Sequence, residues 1–261
     1  MAILTRSLTA VAAAATLTLA LGATLAAAED LDTIKEAGKI RIAMSGAYPP
    51  FNFVNDQNEV VGFDPSIGKA IAEKMGVEAE IVTTAWDGII GGLLANKYDA
   101  VVGSMSITEE RAEVVDFVGP YYSTHRGIFV TEDSPLTNVA DLEGADVTLG
   151  VTLGETHDQW ARDQGYDIKT YKGLPELLME LNSGRVDGIV NDTIPVMIAI
   201  KEGQQQLRTL EGLDAEKVDA GIAIRKDNPE LKAAMQAALD EIMEDGTYME
   251  IANEWVGGDI R

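Results

Sequence analysis

The stretch Lys39-Ile-Arg-Ile-Ala-Met44 decides the fold class of this chain. Its polar and apolar residues alternate and include β-branched side chains, a pattern that predicts a half-buried strand. Ile67, Ile71 and Met75 then recur at intervals of four, which predicts an amphipathic helix. Gly76 ends that helix. A strand followed by such a helix is the unit from which α/β folds are built.

The same alternation continues along the rest of the chain. Further strands are predicted at 80–84, 99–103, 147–151, 167–171, 186–190 and 220–224. Helical patterns are predicted at 89–94, from 108, from 155, at 174–181 and from 228. The strands and helices form two series with no flexible linker between them. We therefore expect an α/β protein with two lobes, mainly parallel strands and ordered crossovers.

Residues 1–28 have the pattern of a secretory signal peptide. Arg6 lies in a short first region, residues 11–25 are apolar, and Ala26–Ala28 offers small residues for cleavage. A membrane anchor is the alternative, but the run is shorter and richer in alanine than a span requires. No cysteine follows the cleavage site, so we expect an exported protein without a lipid anchor, located in the periplasm.

The charge and the composition exclude several classes of function. The net charge of −23, with a pI near 4.3, disfavours nucleic acid and anionic membranes as partners, because binding phosphate requires a cationic surface. Without cysteine the chain has no disulfide, thiol nucleophile or cysteine-ligated metal. Removing residues 1–28 leaves 233 residues with a charge of −24.

No catalytic template is present. The sequence lacks a P-loop, a Gly-x-Gly-x-x-Gly, a His-Glu-x-x-His and a Gly-x-Ser-x-Gly motif. His125 and His157 are the only histidines, and neither lies in a triad signature. We therefore expect no enzyme, metal or cofactor.

Three features suit the binding of a zwitterion. The Arg111 guanidinium can bind a carboxylate with two parallel hydrogen bonds, although spacing alone favours a surface arginine paired with a glutamate. Residues 150–156 run from a strand through a glycine turn into a helix N-terminus, where free N–H groups bind anions. The alternative is that this segment is an ordinary corner between a strand and a helix without a binding role. Asp192 follows a strand and could bind an ammonium group. The alternative is that its side chain caps a helix that starts at Thr193.

Aromatic rings provide a second indication of a ligand-binding site. Tyr48 and Trp86 stand in a loop and at a strand-to-helix turn, where they could stack on a ligand or pack at a lobe edge. Phe51 is expected mainly to pack, as are residues 116–122 and Trp255.

Several motifs occur in the order of a known family. They are Ala47-Tyr-Pro-Pro-Phe51, Val61-Gly-Phe-Asp64, Asp87-Gly-Ile-Ile90, Lys97-Tyr-Asp-Ala100, Met105-Ser-Ile-Thr-Glu-Glu-Arg111, Asp116-Phe-Val-Gly-Pro-Tyr-Tyr-Ser123, Gly184-Arg-Val-Asp187 and Asp245-Gly-Thr-Tyr248. Across residues 38–256 the chain resembles the polar amino-acid family of periplasmic solute-binding proteins of ABC importers (family 3). The resemblance implies the type II periplasmic-binding-protein fold with two crossover hinge strands. Lobe 1 would comprise residues 29–123 plus 220–261, and lobe 2 residues 124–219.

The resemblance also implies roles for individual residues. Arg111 would bind the ligand α-carboxylate, helped by Thr156. Asp192 would bind the α-ammonium group with Ser104 and Ser106. Tyr48 and Trp86 would flank the ligand side chain.

Three residues depart from the family pattern and complete the candidate site. Ser45 replaces an aspartate that in many members contacts the basic or amide side chain of the ligand. This replacement weakens the prediction of arginine, lysine, histidine or glutamine as the ligand. Glu155 replaces a small residue or threonine, so it must face either solvent or a cationic part of the ligand. His157 is also uncommon at its position.

The expected function is a monomeric receptor that captures an amino acid or a related zwitterion by hinge closure. It would deliver that ligand to an inner-membrane ABC permease. The rival hypothesis is a periplasmic cyclohexadienyl (arogenate or prephenate) dehydratase on the same scaffold, with Glu155 or His157 as its acid. A sensor input domain is a third, weaker alternative, because no transmembrane or kinase segment follows.

Overall fold

The computed structural model describes residues 30–215 and 217–261, so the predicted signal peptide lies outside the described residues. The strands are β1 (Lys39–Met44), β2 (Ala47–Tyr48), β3 (Asn52–Val54), β4 (Val60–Val61), β5 (Glu78–Thr83), β6 (Ala100–Ser106), β7 (Val115–Thr131), β8 (Thr148–Thr152), β9 (Asp167–Tyr171), β10 (Gly188–Asp192), β11 (Leu207–Thr209) and β12 (Lys217–Arg225).

The helices alternate with these strands. They are α1 (Asp30–Ala37), α2 (Phe63–Lys74), α3 (Ile89–Leu94), α4 (Glu109–Val114), α5 (Thr156–Asp163), α6 (Leu174–Asn182), α7 (Thr193–Lys201), α8 (Pro229–Glu244) and α9 (Thr247–Trp255), with short 3₁₀ turns at Trp86–Gly88 and Val139–Leu142. None of the helices in the described part of the chain has both the length and the apolar character needed to cross a membrane.

Within the described residues, nine strands form one sheet in the order β5-β1-β6-β12-β7-β10-β8-β9, with β11 pairing β7. Two outer groups of parallel strands, β5-β1-β6 and β10-β8-β9, correspond to the two series seen in the sequence. The α/β fold class is therefore confirmed. Between these groups lie β7 and β12, which pair antiparallel with each other and with their neighbours.

The 17-residue strand β7 links the two groups of strands. Its first part, from Val115 to His125, pairs with β12, and its second part, from Arg126 onward, pairs with β10 and β11. Asp192 at the end of β10 is in register with Arg126. One continuous strand thus carries the chain from one parallel group to the other and fixes where β10 ends.

Most predicted elements are confirmed to within two or three residues, but the segment from Tyr48 to Phe51 differs. We expected a loop there. Residues 49–51 do form a turn, but Tyr48 pairs with Asn52 in a small antiparallel sheet of β2, β3 and β4. Strands of two or three residues interrupted by prolines are too short to show an alternating pattern. Phe51 is fully buried and stacks on Tyr122 with ring centroids 4.8 Å apart, so the prediction that it packs is confirmed.

The first turn of α2 holds this small sheet in place. The backbone N–H of Phe63 donates to the carbonyl of Pro50 at 3.1 Å, and that of Asp64 donates to the carbonyl of Phe51 at 2.7 Å. These bonds satisfy N–H groups that a helix start leaves without intrahelical partners. Gly62, with φ of 126°, permits this close approach, since a Cβ there would lie 2.4 Å from the Phe51 carbonyl oxygen.

We predict that Gly62→Ala lowers the free energy of unfolding by about 3 kcal/mol or more, because backbone strain and the clash with a carbonyl act together. Gly76→Ala is the matched control, since Gly76 also has a positive φ, 72°, but open space around its Cβ position. It should cost only about 1–2 kcal/mol. Equal losses in denaturant unfolding would contradict the role given to the contact at Gly62.

Candidate functional site

A small cavity lies where the carboxyl ends of the two parallel strand groups face each other. Such strand ends are where open α/β sheets bind ligands. Its lining residues are Ser45, Tyr48, Trp86, Gly103, Ser104, Ser106, Arg111, Glu155, Thr156, His157 and Asp192. The structure therefore brings all ten candidate residues together around one cavity. Gly103 is the additional lining residue, and it has no side chain that could have marked it in the sequence.

Arg111 reaches the cavity from α4, whose first turn is capped by the Thr108 side chain. Its Nη1 donates to the carbonyl oxygen of Ser106 at 3.0 Å, and its Nη2 to that of Gly154 at 3.4 Å. The guanidinium carbon lies 5.7 Å from the centre of the Trp86 ring. In the described chain Arg111 forms no ion pair with a neighbouring glutamate, so the surface-pair alternative does not hold.

Burial lowers the pKa of the Arg111 guanidinium, and the nearby carboxylates of Glu155 and Glu110 partly offset that effect. The guanidinium remains cationic, because arginine starts from a pKa above 12. Its two observed hydrogen bonds go to neutral carbonyl groups, which leaves its charge available to an anionic group in the cavity.

Asp192 is the last residue of β10 and stands at the N-terminus of α7, but its side chain does not cap that helix. Its Oδ2 accepts a hydrogen bond from the Tyr48 hydroxyl at 2.6 Å. Its Oδ1 lies 3.5 Å from His157 Nε2 without hydrogen-bond geometry, so within the described residues this buried oxygen accepts no hydrogen bond.

The charge of Asp192 is stabilised by its neighbours. Burial raises the pKa of this carboxyl, but His157, Tyr48 and Arg126 together outweigh burial and hold the pKa below its ordinary value. The site therefore contains an ionised, buried carboxylate with a free acceptor atom, which suits a cationic donor.

His157 is almost fully buried beside Asp192. The Arg126 Nε–H donates to His157 Nδ1 at 3.4 Å, which makes Nδ1 the acceptor nitrogen of the ring. The other nitrogen, Nε2, lies 3.5 Å from Asp192 Oδ1 and 4.0 Å from Glu155 Oε2. His157 thus presents an N–H to the two acidic side chains of the cavity.

Glu155 lies at the turn before α5, where a side chain could have capped the helix but does not. Its side chain is 16% exposed and lines the same cavity as Arg111, so it does not simply face solvent. Burial raises the pKa of Glu155 to about 7, and the positive charges near it only partly oppose that increase. Near neutral pH this carboxyl is therefore divided between its two protonation states.

The turn that leads into α5 has the predicted form. Gly154 adopts φ of +77° after β8, and its N–H donates to Asp158 Oδ2 at 3.1 Å. No side chain caps the helix that starts at Thr156. Because Glu155 and Thr156 line the cavity, the positive end of this helix borders on it.

One buried acid beneath the cavity was not predicted as part of the site. Asp64 was noted only within a family motif, yet it is fully buried and accepts hydrogen bonds from the side chains of Asn52, Ser104 and Tyr121. Burial raises the pKa of Asp64 to about 6, against the opposing effect of these three hydrogen bonds. Ser104 has φ of +60°, a strained conformation for a residue other than glycine.

The state of Glu155 leads to a prediction about stability and pH. Because its folded-state pKa of about 7 lies above the ordinary 4.5, folding favours the protonated acid. The free energy of unfolding should therefore fall as the pH rises from 4.5 through about 7. We predict that wild type loses about 2–3 kcal/mol more than Glu155→Gln between pH 5 and pH 8.

Denaturant unfolding at each pH provides the measurement, and the exposed Glu73→Gln is the control, which should follow wild type. If the free energy of unfolding changed with pH in parallel for wild type and Glu155→Gln, burial would not raise the pKa of Glu155 as described.

The family model for "Bacterial extracellular solute-binding proteins, family 3" matches residues 40–258. ABC transporter arginine-binding protein 1 of Escherichia coli K12 is 36% identical over 229 residues, covering 84% of this chain and 91% of that protein. L-cystine-binding protein TcyJ of the same strain is 31% identical over 234 residues, covering 88% and 87%.

Among solved structures, the ancestral amino acid-binding protein AncCDT-1, a precursor of cyclohexadienyl dehydratase, is similar with a TM-score of 0.81 and 34% identity. The match covers 87% of this chain and 99% of that one. The fold and the polar cavity define a solute-binding receptor of the type II periplasmic class. The chain belongs to the bacterial extracellular solute-binding proteins of family 3. The family predicted from the sequence motifs is thereby confirmed.

Proposed function

We propose that this protein is the periplasmic receptor of an ABC importer and that it captures an α-amino acid or a closely related zwitterion. One observation carries the proposal. A guanidinium at Arg111 and an ionised carboxylate at Asp192 border the same cavity, and each has capacity for a further partner of opposite charge. A zwitterion offers both partners at once.

The head group would lie between these two charges. The α-carboxylate would bind Arg111, the Thr156 hydroxyl and the N-terminus of α5, where hydrogen-bond donors are concentrated. The α-ammonium group would bind the free oxygen of Asp192, with the hydroxyls of Ser104 and Ser106 as further acceptors.

The rings of Tyr48 and Trp86 would flank the ligand side chain. Both are more than 90% buried at the cavity wall, so they present flat surfaces with little conformational freedom to lose on binding. Ser45 and Glu155 complete the wall and would contact the more distal part of the ligand.

Closure would proceed by a hinge at the strands that connect the two strand groups. We assign residues 29–123 plus 220–261 to one lobe and 124–219 to the other, so that β7 and β12 cross between them. A ligand that bridges Arg111 and Asp192 contacts both lobes only when they are closed, and therefore stabilises the closed form. The closed monomer would then dock on an inner-membrane permease.

We predict that Arg111→Ala weakens binding by about 2–5 kcal/mol, because the ligand carboxylate would be buried without a partner. The test is calorimetry with whichever of L-arginine, L-glutamine, L-histidine or L-cystine gives wild type the largest thermal shift. Arg185→Ala is the control, since Arg185 is an exposed arginine paired with Glu180. Unchanged affinity in Arg111→Ala would refute this placement of the carboxylate.

A dehydratase is the second candidate, favoured by a single observation. Glu155, with its pKa near 7, lies in the cavity beside His157 and has the properties of a general acid. We propose binding without turnover, since the relatives named above are binding proteins.

Incubation of wild type with arogenate and prephenate tests this choice. We expect neither phenylalanine nor phenylpyruvate. Formation of either at a rate that Glu155→Gln abolishes would establish the enzyme instead.

A further inference from the structure

A chain of hydrogen bonds beneath the cavity links two of its lining serines to Asp64. The carboxylate of Asp64 accepts from the Tyr121 hydroxyl on Oδ1 at 2.7 Å. Its Oδ2 accepts from Asn52 Nδ2 at 2.6 Å and from Ser104 Oγ at 2.9 Å. An ionised carboxylate only accepts, so each of these three partners must direct a hydrogen toward Asp64.

The orientation of the Asn52 amide follows from this contact. Because its Nδ2 faces Asp64, its Oδ1 faces the opposite way and accepts from Ser45 Oγ at 2.9 Å. The backbone N–H of Gly46 also donates to this Oδ1, at 2.8 Å. Since a backbone N–H can only donate, it independently identifies this atom as the oxygen.

Both serines use their only hydroxyl hydrogen within this network and keep hydrogen-bond acceptor positions. A hydroxyl has one hydrogen and two acceptor positions. Ser45 gives its hydrogen to Asn52 and accepts from the Ala47 N–H at 3.2 Å, which leaves one acceptor position. Ser104 gives its hydrogen to Asp64, which leaves two acceptor positions, and the nearby Tyr122 hydroxyl can fill at most one of them.

One competing acceptor lies near Ser104, namely the hydroxyl of Tyr122. A carboxylate is the stronger acceptor, because a hydrogen bond to a charged group is about twice as strong as one between neutral groups. With a pKa of about 6, Asp64 is largely ionised at neutral pH, so the hydrogen of Ser104 belongs to it.

We propose that Asp64 is a positioning residue that turns the hydroxyl hydrogens of Ser45 and Ser104 away from the cavity, so that both serines offer only acceptors to the ligand. This inference rests on the proposed function and narrows the ligand class. The ammonium group satisfies Ser104 together with Asp192. The ligand side chain then carries an N–H or O–H donor that faces Ser45, and ligands with only acceptors there are rejected.

Neutron diffraction from crystals of the deuterated wild-type protein tests the orientation without a ligand. We expect the deuterium of Ser45 Oγ to lie on the line to Asn52 Oδ1, and that of Ser104 Oγ on the line to Asp64. A hydroxyl deuterium of either serine that points into the cavity would overturn the proposal.

Calorimetry with L-glutamine and L-glutamic acid 5-methyl ester tests the consequence for selectivity. The two compounds have equal charge and similar size, but only glutamine has N–H donors on its side chain. Wild type should bind glutamine about tenfold or more tightly than the ester. In Asp64→Leu neither Asn52 Nδ2 nor Ser104 Oγ has an acceptor at this position, so both side chains are free to turn, and the ratio of the two affinities should fall toward one or reverse.

Tyr121→Phe is the matched control, because it removes the donor to Asp64 Oδ1 and the acceptor of the Ser104 backbone N–H but leaves the two side-chain donors to Oδ2 in place. It should lower thermal stability as Asp64→Leu does but preserve the affinity ratio. An equal ratio in wild type and Asp64→Leu would refute the positioning role. A wild-type protein that binds no amino acid would instead refute the proposed function, while the neutron density would still decide the orientation of the hydroxyls.

Discussion

The hydrogen bond from the Tyr48 hydroxyl to Asp192, 2.6 Å long, joins parts of the chain that are 144 residues apart. Tyr48 belongs to the small sheet held on α2, and Asp192 ends β10 in the second group of parallel strands. The bond keeps a charged carboxylate buried at the cavity wall, and within the described residues its other oxygen, 3.5 Å from His157 Nε2, accepts no hydrogen bond. The remaining geometry of the site depends on this combination of burial and incomplete pairing.

Burial raises the pKa of all three acids around the cavity, but their neighbouring groups oppose it to different extents. Asp192 lies beside His157, Tyr48 and Arg126, and these groups hold its pKa below the ordinary value. Asp64 has only neutral partners, and Glu155 has cations that do not compensate for its burial, so their pKa values rise to about 6 and about 7. Three carboxyl groups within one site thus have three distinct tasks: a fixed charge, a positioning acceptor and a group that titrates near neutrality.

The strand β9 was predicted exactly, and β1, α4 and the turn before α5 follow from alternation, capping and glycine. The small sheet was missed because residues 47–61 are too short and irregular to show a period. The long strand β7 was missed because Gly119-Pro120 interrupts it, and these residues are typical of turns. Only part of the candidate site could be predicted from the sequence. Spacing alone favoured a surface role for Arg111, and the ordered motifs of the family pointed to the cavity. Asp64 was not predicted as part of the site, because its role arises from contacts with Asn52, Ser104 and Tyr121 that the local sequence does not encode.

A crystal structure of the protein with the amino acid that stabilises it most would test the central claim directly. We expect the α-carboxylate within hydrogen-bond distance of the Arg111 guanidinium and the α-ammonium group within hydrogen-bond distance of Asp192 Oδ1. The ligand should also be enclosed between Tyr48 and Trp86. A head group bound in the reverse direction, or away from both charges, would contradict it.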